Sequence, residues 1–197
     1  MSSIETIRSE IVDCFSQAWE LNDLAHRQDH FEEVFKTGIH LNEDQHYYFD
    51  PVHILFAAYF HDMFAWSRVN HHELSFLWMR TTDHPVTRHL TASAIKMVAH
   101  ACLEHRASFK GTFTSEFAEL INSADRGFPD DVPAMVERSR KYWLTHNPLM
   151  SDDERMAGVI AHIKEKFGHN GYARYPDIYL KTFGDRLDAM RDEVERL

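Results

Sequence analysis

Histidine and aspartate side chains give this sequence its clearest capacity for chemistry. The chain of 197 residues contains 15 histidines, and histidine is the commonest side-chain metal ligand and a frequent acid or base. His30 precedes Val34 by one helical turn, whereas His61 with Asp62, and also Asp125, end apolar segments. A charged carboxylate in such a place is costly unless it is paired or bound to a metal ion. These residues are therefore the candidates for a metal site.

Each candidate alone has an ordinary explanation, such as a core histidine or a solvated acid at a helix end. Their combination is more specific, because mixed imidazole and carboxylate ligands suit Mn, Fe, Co, Ni or Mg better than a structural Zn. Four protein ligands leave about two positions on an octahedral ion for water and substrate. The sequence predicts one divalent ion (Mn, Fe, Co, Ni, Mg or Zn) held by His30, His61, Asp62 and Asp125.

Apolar residues recur every three or four positions along most of the chain, which predicts that helices position these ligands. Asp50 and Pro51 are a typical N-cap and first residue of the helix that ends at His61 and Asp62, and polar residues 42–50 predict a loop before it. That helix is apolar nearly all round, so we expect it at the centre of the fold. We predict a single all-α domain, residues 1–197, of eight or nine helices at about 3–21, around 31–39, 51–62, 71–80, 85–106, 117–125, 131–145, 151–167 and 176–196.

Composition narrows the classes of partner. A net charge of −10 argues against bulk nucleic-acid binding but allows a small anionic substrate beside a metal ion. No run approaches the roughly 18 apolar residues of a membrane span, and no apolar signal core follows Met1, so we expect a cytoplasmic protein without a membrane partner. Cys14 and Cys102 lie in apolar stretches, which predicts two buried free thiols.

The candidate ligands also occur in a family-specific order. His30, His61 with Asp62, and Asp125 together resemble the H…HD…D signature of the HD-domain superfamily of metal-dependent phosphohydrolases. The surrounding motifs are similar as well: AHRQDHFEEV at residues 25–34, AAYFHDMF at 57–64 and NSADRG at 122–127. The resemblance implies an HD-domain helical bundle that holds a divalent ion with these four residues.

The similarity is nearest to a group of small, poorly characterised HD phosphohydrolases. It covers about residues 22–128, so residues 131–197 are expected to form additional C-terminal helices. His26 matches the first of two histidines that this group carries four residues apart. Segments 71–75 and 102–105 match two later motifs of the group, with substitutions in both.

The resemblance implies hydrolysis of a small phosphorylated substrate, with nucleotides among the candidates, by attack of a metal-bound water on phosphorus. Asp62 and Glu73 are then expected to orient or deprotonate that water, and His105 to face the substrate or act as an acid. The side chains expected to bind phosphate are Arg68, Arg106, Lys110 and Arg126. The oligomeric state stays open, with a homodimer among the possibilities.

Two alternatives remain. Further histidines between the HD pair and the last aspartate would suit a diiron HD-type oxygenase; they are His84, His89, His100 and His105. A non-catalytic binding module that keeps the ion for stability would carry the same signature. The histidines expected outside the site are His46, His53, His146, His162 and His169.

Overall fold

Helices form over most of the segments in which the apolar spacing predicts them. The computed structural model describes residues 3–129 and 131–197. Nine α-helices and no strand are found in these residues, which confirms the expected all-α bundle. The elements are α1 Ile4–Trp19, α2 Gln28–Asp44, α3 Pro51–Phe60, α4 His71–Thr81, a 3₁₀ helix Pro85–His89, α5 Ala92–Glu104, α6 Glu116–Ala124, α7 Val132–His146, α8 Asp152–Phe167 and α9 Asp177–Arg196.

The helix ends follow from side chains that satisfy free backbone groups. Asp50 caps α3 by accepting a hydrogen bond from the backbone N–H of Val52, with Pro51 as the first helical residue, as predicted. Gly127, just beyond α6, has a φ of +71°, which is the left-handed conformation that commonly ends a helix. The cap of α3 fixes where this helix begins and therefore where His61 emerges.

The predicted single helix over 85–106 is wrong, because the segment divides into the 3₁₀ helix and α5. Leu90 is extended, and the Thr91 hydroxyl accepts a hydrogen bond from the Ala94 backbone N–H at 3.2 Å. A threonine that caps a helix in this way leaves the helical conformation itself. The predicted loop is also shorter than expected, since α2 continues to Asp44.

Helix α3 lies at the centre of the core, as its uniformly apolar composition predicts. Every residue from Ile54 to Phe60 is fully buried. Helices α1, α2, α5 and α6 pack around α3, and α4 packs on α5. The C-terminal helices join this core through α9, which packs on α6 and α2. Within the described part of the chain, no helix is long and apolar enough to cross a membrane.

The two cysteines differ in their surroundings. Cys102 is buried in α5, as predicted. Cys14 is exposed on α1, so the prediction of a second buried thiol is wrong. The buried face of α1 is formed by Ile7, Ile11 and Phe15, and a residue adjacent to Phe15 points elsewhere on a helix of 3.6 residues per turn.

An aromatic cluster holds the C-terminal end of α3. The ring of Phe60 stacks on Trp78 of α4 with centroids 4.9 Å apart, and it meets the edge of the Phe15 ring of α1 at 5.1 Å. Phe60 directly precedes His61 and Asp62 in the sequence. Packing between three helices therefore fixes the backbone from which these two side chains project.

We expect Phe60→Ala to lower the free energy of unfolding by about 3–5 kcal/mol, because it leaves a cavity between three helices. Urea denaturation followed by circular dichroism measures the loss. Leu77→Ala is the matched control, since Leu77 is 53% exposed on α4 and its replacement should cost less than about 0.5 kcal/mol. Similar losses for the two variants would contradict this account of the cluster.

Candidate metal centre

His61 and Asp62 directly follow the last residue of α3, and Asp62 lines a cavity. His61 is fully buried, and its Nδ1 lies 2.8 Å from the Ala58 carbonyl oxygen one turn earlier. A proton on Nδ1 donates to that carbonyl, so Nε2 keeps its lone pair as a ligand atom. The helix geometry thus turns the imidazole into an oriented ligand.

The predicted ligands come together in a first group of donor atoms. His61 Nε2 lies 3.3 Å from His30 Nε2 and 3.5 Å from Asp62 Oδ2. Asp125 joins them from the end of α6, with its Oδ1 3.1 Å from His30 Nε2. His30, His61 and Asp62 each offer a ligand atom within 4.8 Å of the others, and all three are buried. This group has the mixed imidazole and carboxylate composition of the predicted site and could hold a metal ion.

A second group shares Asp62 and contains His105, which was expected to face the substrate or act as an acid, and His71, which was not predicted in the site. His71 Nε2 lies 3.3 Å from Asp62 Oδ1, and His105 Nε2 lies 3.2 Å from the same oxygen. The two Nε2 atoms are 3.3 Å apart, and all three residues are buried. Asp62 therefore presents one oxygen to each pair of imidazoles.

Backbone carbonyls orient both imidazoles of the second group. The Nδ1 atom of His71 lies 3.2 Å from the Arg68 carbonyl oxygen, and that of His105 lies 2.7 Å from the Cys102 carbonyl oxygen. This is the arrangement of His61, and metal-binding histidines commonly donate their second ring N–H in this way. His30 differs, because its Nδ1 lies 3.1 Å from the Arg138 guanidinium.

The donor set fits divalent ions. Asp62 Oδ1 is buried and accepts no hydrogen bond within the described residues, although two imidazole nitrogens flank it. A buried charge without hydrogen bonds is expensive unless a counter-charge compensates it. A cation between the nitrogens and this oxygen would satisfy all three atoms, and a second cation would do so in the first group.

The pKa shifts of the two aspartates favour the ionised carboxylate, which is the form that binds a metal ion. Burial raises the pKa of Asp62, but the neighbouring charges of His61 and His105 outweigh it and hold the pKa well below its ordinary value. Burial likewise raises the pKa of Asp125, and the neighbouring imidazoles of His30 and His61 reverse that effect and lower it well below its ordinary value. Both carboxylates are therefore ionised at neutral pH.

The histidines divide into two kinds. Burial lowers the pKa of His30 and that of His71 to about 4, so both are neutral at pH 7. Burial also lowers the pKa of His61, but the charges of Asp62 and Asp125 raise it above the ordinary value overall. The aspartates thus favour a positive charge at the centre, which a bound cation can supply in place of a proton.

Asn22 is a positioning residue that the sequence analysis missed. Its amide nitrogen donates to the Asp62 carbonyl oxygen at 3.0 Å and to the His26 carbonyl oxygen at 2.9 Å. Its side-chain oxygen accepts from the Trp66 backbone N–H at 2.9 Å. Asn22 is buried and joins the loop before α2 to the turn after α3. An isolated asparagine in a polar segment gives no sequence signal for this role.

The donor groups open into a cavity of about 260 Å³. Asp62 and Asp125 are the carboxylates in its lining, whereas Arg68, Arg106, Arg138 and Lys166 supply positive charge. Arg138 and Lys166 come from α7 and α8 and were not predicted. On α8, the buried stripe of Val159 and Ile163 continues to Phe167, and the half-buried Lys166 lies beside this stripe, so the apolar pattern gives no signal for it.

Three predicted site residues do not line this cavity: Glu73, Lys110 and Arg126. Glu73 is exposed on α4, because His71 faces Asp62 and a residue two positions later lies on roughly the opposite side of a helix. Lys110 is exposed and lines a separate pocket beside Phe109. The structure thus brings His105 and Asp62 together but leaves Glu73 outside.

Arg126 is occupied by backbone carbonyls. Its buried guanidinium donates from Nε to the Arg174 carbonyl oxygen at 2.7 Å and from Nη1 to the Asn122 carbonyl oxygen. These bonds tie the loop before α9 to α6, and the side chain lines a different cavity. The expected phosphate contact is therefore replaced by a structural role.

Most of the additional histidines considered for a diiron site also serve other contacts. The His84 ring packs on Phe15 with centroids 4.8 Å apart, and His89 Nε2 lies 3.0 Å from a Glu10 carboxylate oxygen. His100 packs against the Phe76 ring. His105 alone of these four lines the cavity. His162 was expected outside the site but lines an adjoining cavity.

Comparison with known proteins adds no identification. No protein-family model, no curated protein and no solved structure matches the chain. The interpretation of the site consequently rests on its own residues and geometry.

We expect Asn22→Ala to lower the free energy of unfolding by about 2–4 kcal/mol, because buried hydrogen-bonding groups lose their partner. Affinity for divalent ions should fall about 10- to 100-fold, since the turn that carries Asp62 loses its support. Urea denaturation and titration against a competing chelator measure the two effects. Asn170→Ala, at an exposed turn, is the control. Unchanged metal affinity in a destabilised variant would show that Asn22 serves the fold alone.

Proposed function

We propose that this protein is an HD-type metal-dependent phosphohydrolase that cleaves a small phosphate ester. The observation that carries the proposal is the composition of the site: four imidazoles and two carboxylates come together beside a cavity, and the other charged residues that line this cavity are cationic. Ions at these ligands and arginines in the lining are a combination that binds a phosphoryl group. The resemblance of the sequence motifs to HD phosphohydrolases supports the same reaction.

The geometry favours two ion positions rather than the single ion expected from the sequence. One would be held by His30, His61, Asp62 and Asp125, and the other by Asp62, His71 and His105. Imidazole-rich ligands of this kind suit Fe, Co, Ni, Mn or Zn. Divalent ions held there supply Lewis acidity, because they neutralise charge on phosphoryl oxygens and make water more acidic.

The protein side chains would hold the ions and orient the substrate. Asp62 serves as a bridging ligand in this proposal rather than as a free base, because each of its oxygens faces a pair of imidazoles. Arg68 and Arg106 line the cavity and are suited to hold phosphoryl oxygens. His105 belongs to the ligand set, which replaces the acid role expected from the resemblance.

His26 is the group best placed to carry a proton. Its Nδ1 lies 2.7 Å from Asp23 Oδ1, so the aspartate orients the ring. Its Nε2 faces the cavity, 3.9 Å from Asp62 Oδ2 and 3.2 Å from Arg68 Nη1. A phosphoryl group that takes the hydrogen bond of Arg68 would free Nε2 to take up a proton from water, which it would then pass to the leaving-group oxygen.

Metal content tests the ligand assignment. We expect about two divalent ions per chain in the reconstituted protein, about one in His71→Gln, and loss of both in Asp62→Asn, because Asp62 belongs to both groups. Inductively coupled plasma mass spectrometry gives the count, and His169→Gln at the surface is the control. Retention of both ions in Asp62→Asn would contradict the site.

The same samples separate the alternative functions. The pair His71 and His105 across Asp62 also favours a diiron oxygenase, which would bind two irons and consume O₂. We expect instead that Mn- or Co-loaded protein releases phosphate from simple esters without O₂. A fully loaded protein that hydrolyses no member of a broad phosphate-ester panel would favour a non-catalytic binding module.

Leaving-group dependence tests His26. We expect His26→Gln to lower kcat for phenyl phosphate by about 10²- to 10⁴-fold, and that for p-nitrophenyl phosphate much less, because nitrophenolate leaves without a proton. Metal content should not change. His169→Gln is the matched control, since it removes a surface histidine that pairs with Asp192 at 2.8 Å. An equal loss for both esters would assign His26 to a different step.

A further inference from the structure

The metal cavity continues outward into a second cavity of about 220 Å³. Five residues line both cavities and therefore form their boundary: His26, Arg68, Arg138, Lys166 and Tyr172. Three of the five are cations, which we call the cation collar: Arg68, Arg138 and Lys166. The lining of the outer cavity contains no carboxylate, although the chain has 31 acidic residues.

None of the three cations of the collar forms an ion pair with a carboxylate in the part of the chain that the structure describes. Arg68 lies against the His26 ring nitrogen and over the Tyr142 ring, Arg138 against His30 Nδ1, and Lys166 over the Phe167 ring. Among the residues that the structure describes, no carboxylate oxygen lies within 4.0 Å of these three charges. Gathering like charges is unfavourable unless an anion binds between them.

Charge balance indicates that one phosphoryl group does not use the whole set. Two divalent ions beside Asp62 and Asp125 leave two net positive charges, and a phosphoryl dianion neutralises them. Arg68 is suited to hold the same phosphoryl group, and Arg138 and Lys166 then remain without an ion pair. They lie at the outer boundary of the metal cavity, where a substrate would extend away from the ions.

We propose that the substrate carries a second anionic group, phosphoryl or carboxylate, which binds at the cation collar. The proposal rests on the proposed function for the first group, the phosphoryl at the ions. A phosphate monoester whose remaining part is uncharged would then not be among the best substrates. Arg138 and Lys166 then act as specificity-determining residues supplied by α7 and α8.

Direct binding to metal-loaded protein tests the inference without turnover. The probes for isothermal titration calorimetry are orthophosphate, methylenediphosphonate and 3-phosphonopropionate, and the metal retained after each titration is counted. We expect at least one of the two-anion probes to bind about tenfold or more tightly than orthophosphate. Tighter binding of methylenediphosphonate assigns a second phosphoryl group, and tighter binding of 3-phosphonopropionate assigns a carboxylate.

Matched charge removals show where the second anion binds. Lys166→Gln and Arg138→Gln should each weaken the tighter two-anion probe about tenfold and leave orthophosphate within about twofold. The controls Lys164→Gln and Arg140→Gln remove the same charge from the same helices, where Lys164 contacts the Glu195 carbonyl oxygen and Arg140 pairs with Glu137. Lys166→Gln is decisive if Arg138→Gln alters metal content through its contact with His30.

Each result has one meaning. Orthophosphate binding as tightly as both two-anion probes, or equal effects of Lys166→Gln and Lys164→Gln, would overturn the second anion site. If binding of the two-anion probe depends on Lys166 but no ester is hydrolysed, the second anion site is supported and the proposed hydrolysis is contradicted. If esters are hydrolysed but the variants bind the two-anion probe as tightly as the unsubstituted protein, the hydrolysis is supported and the second anion site is contradicted.

Discussion

The buried charge of Asp62 is the constraint around which the other side chains of the site are arranged. The carboxylate ends the most apolar helix of the protein, and imidazole nitrogens approach both of its oxygens at 3.2 to 3.5 Å. A charge in such surroundings costs several kcal/mol unless compensating groups are close and well oriented. Compensation comes from α2, α4 and the end of α5, which each supply a histidine. The positions of these helices relative to α3 therefore determine whether the centre can form.

Rigidity of the backbone on either side of Asp62 makes this compensation possible. The Phe60 ring is held by an edge-to-face contact with Phe15 of α1 and by stacking on Trp78 of α4. The Asp62 carbonyl is held by a hydrogen bond from Asn22. Three imidazoles are oriented by backbone carbonyls, so their Nε2 atoms converge without help from other side chains. Ligands held in advance by packing and outer hydrogen bonds lose little entropy when an ion binds. The apolar core that makes the Asp62 charge expensive is thus also what keeps its ligands in place.

The predictable part of the site is the part determined by local sequence. His30, His61, Asp62 and Asp125 end or face apolar helical stripes, and helical periodicity is visible within a few turns. Glu73 was favoured by a motif resemblance, whereas the helix phase set by burial of His71 and Ser75 turns Glu73 outward. Similarly, the interruption of 85–106 depends on whether Thr91 caps a helix or continues one, and periodicity alone does not decide this. Local sequence patterns predict the helices, whereas tertiary packing determines which face of each helix points toward the site.

Long-range contacts account for what the sequence does not reveal. Arg138 reaches His30 across 108 residues, and Lys166 reaches the cavity from α8, although neither belongs to a recognisable motif. The proposed metal ligands lie between residues 30 and 125, whereas these two cations come from the C-terminal helices. The proposed metal site and the proposed second anion site would therefore be supplied by different parts of the chain. The hydrogen bond between Arg138 and His30 joins the two parts directly. An anion that engages Arg138 would compete with that bond, so occupancy of the outer cavity would affect the orientation of His30.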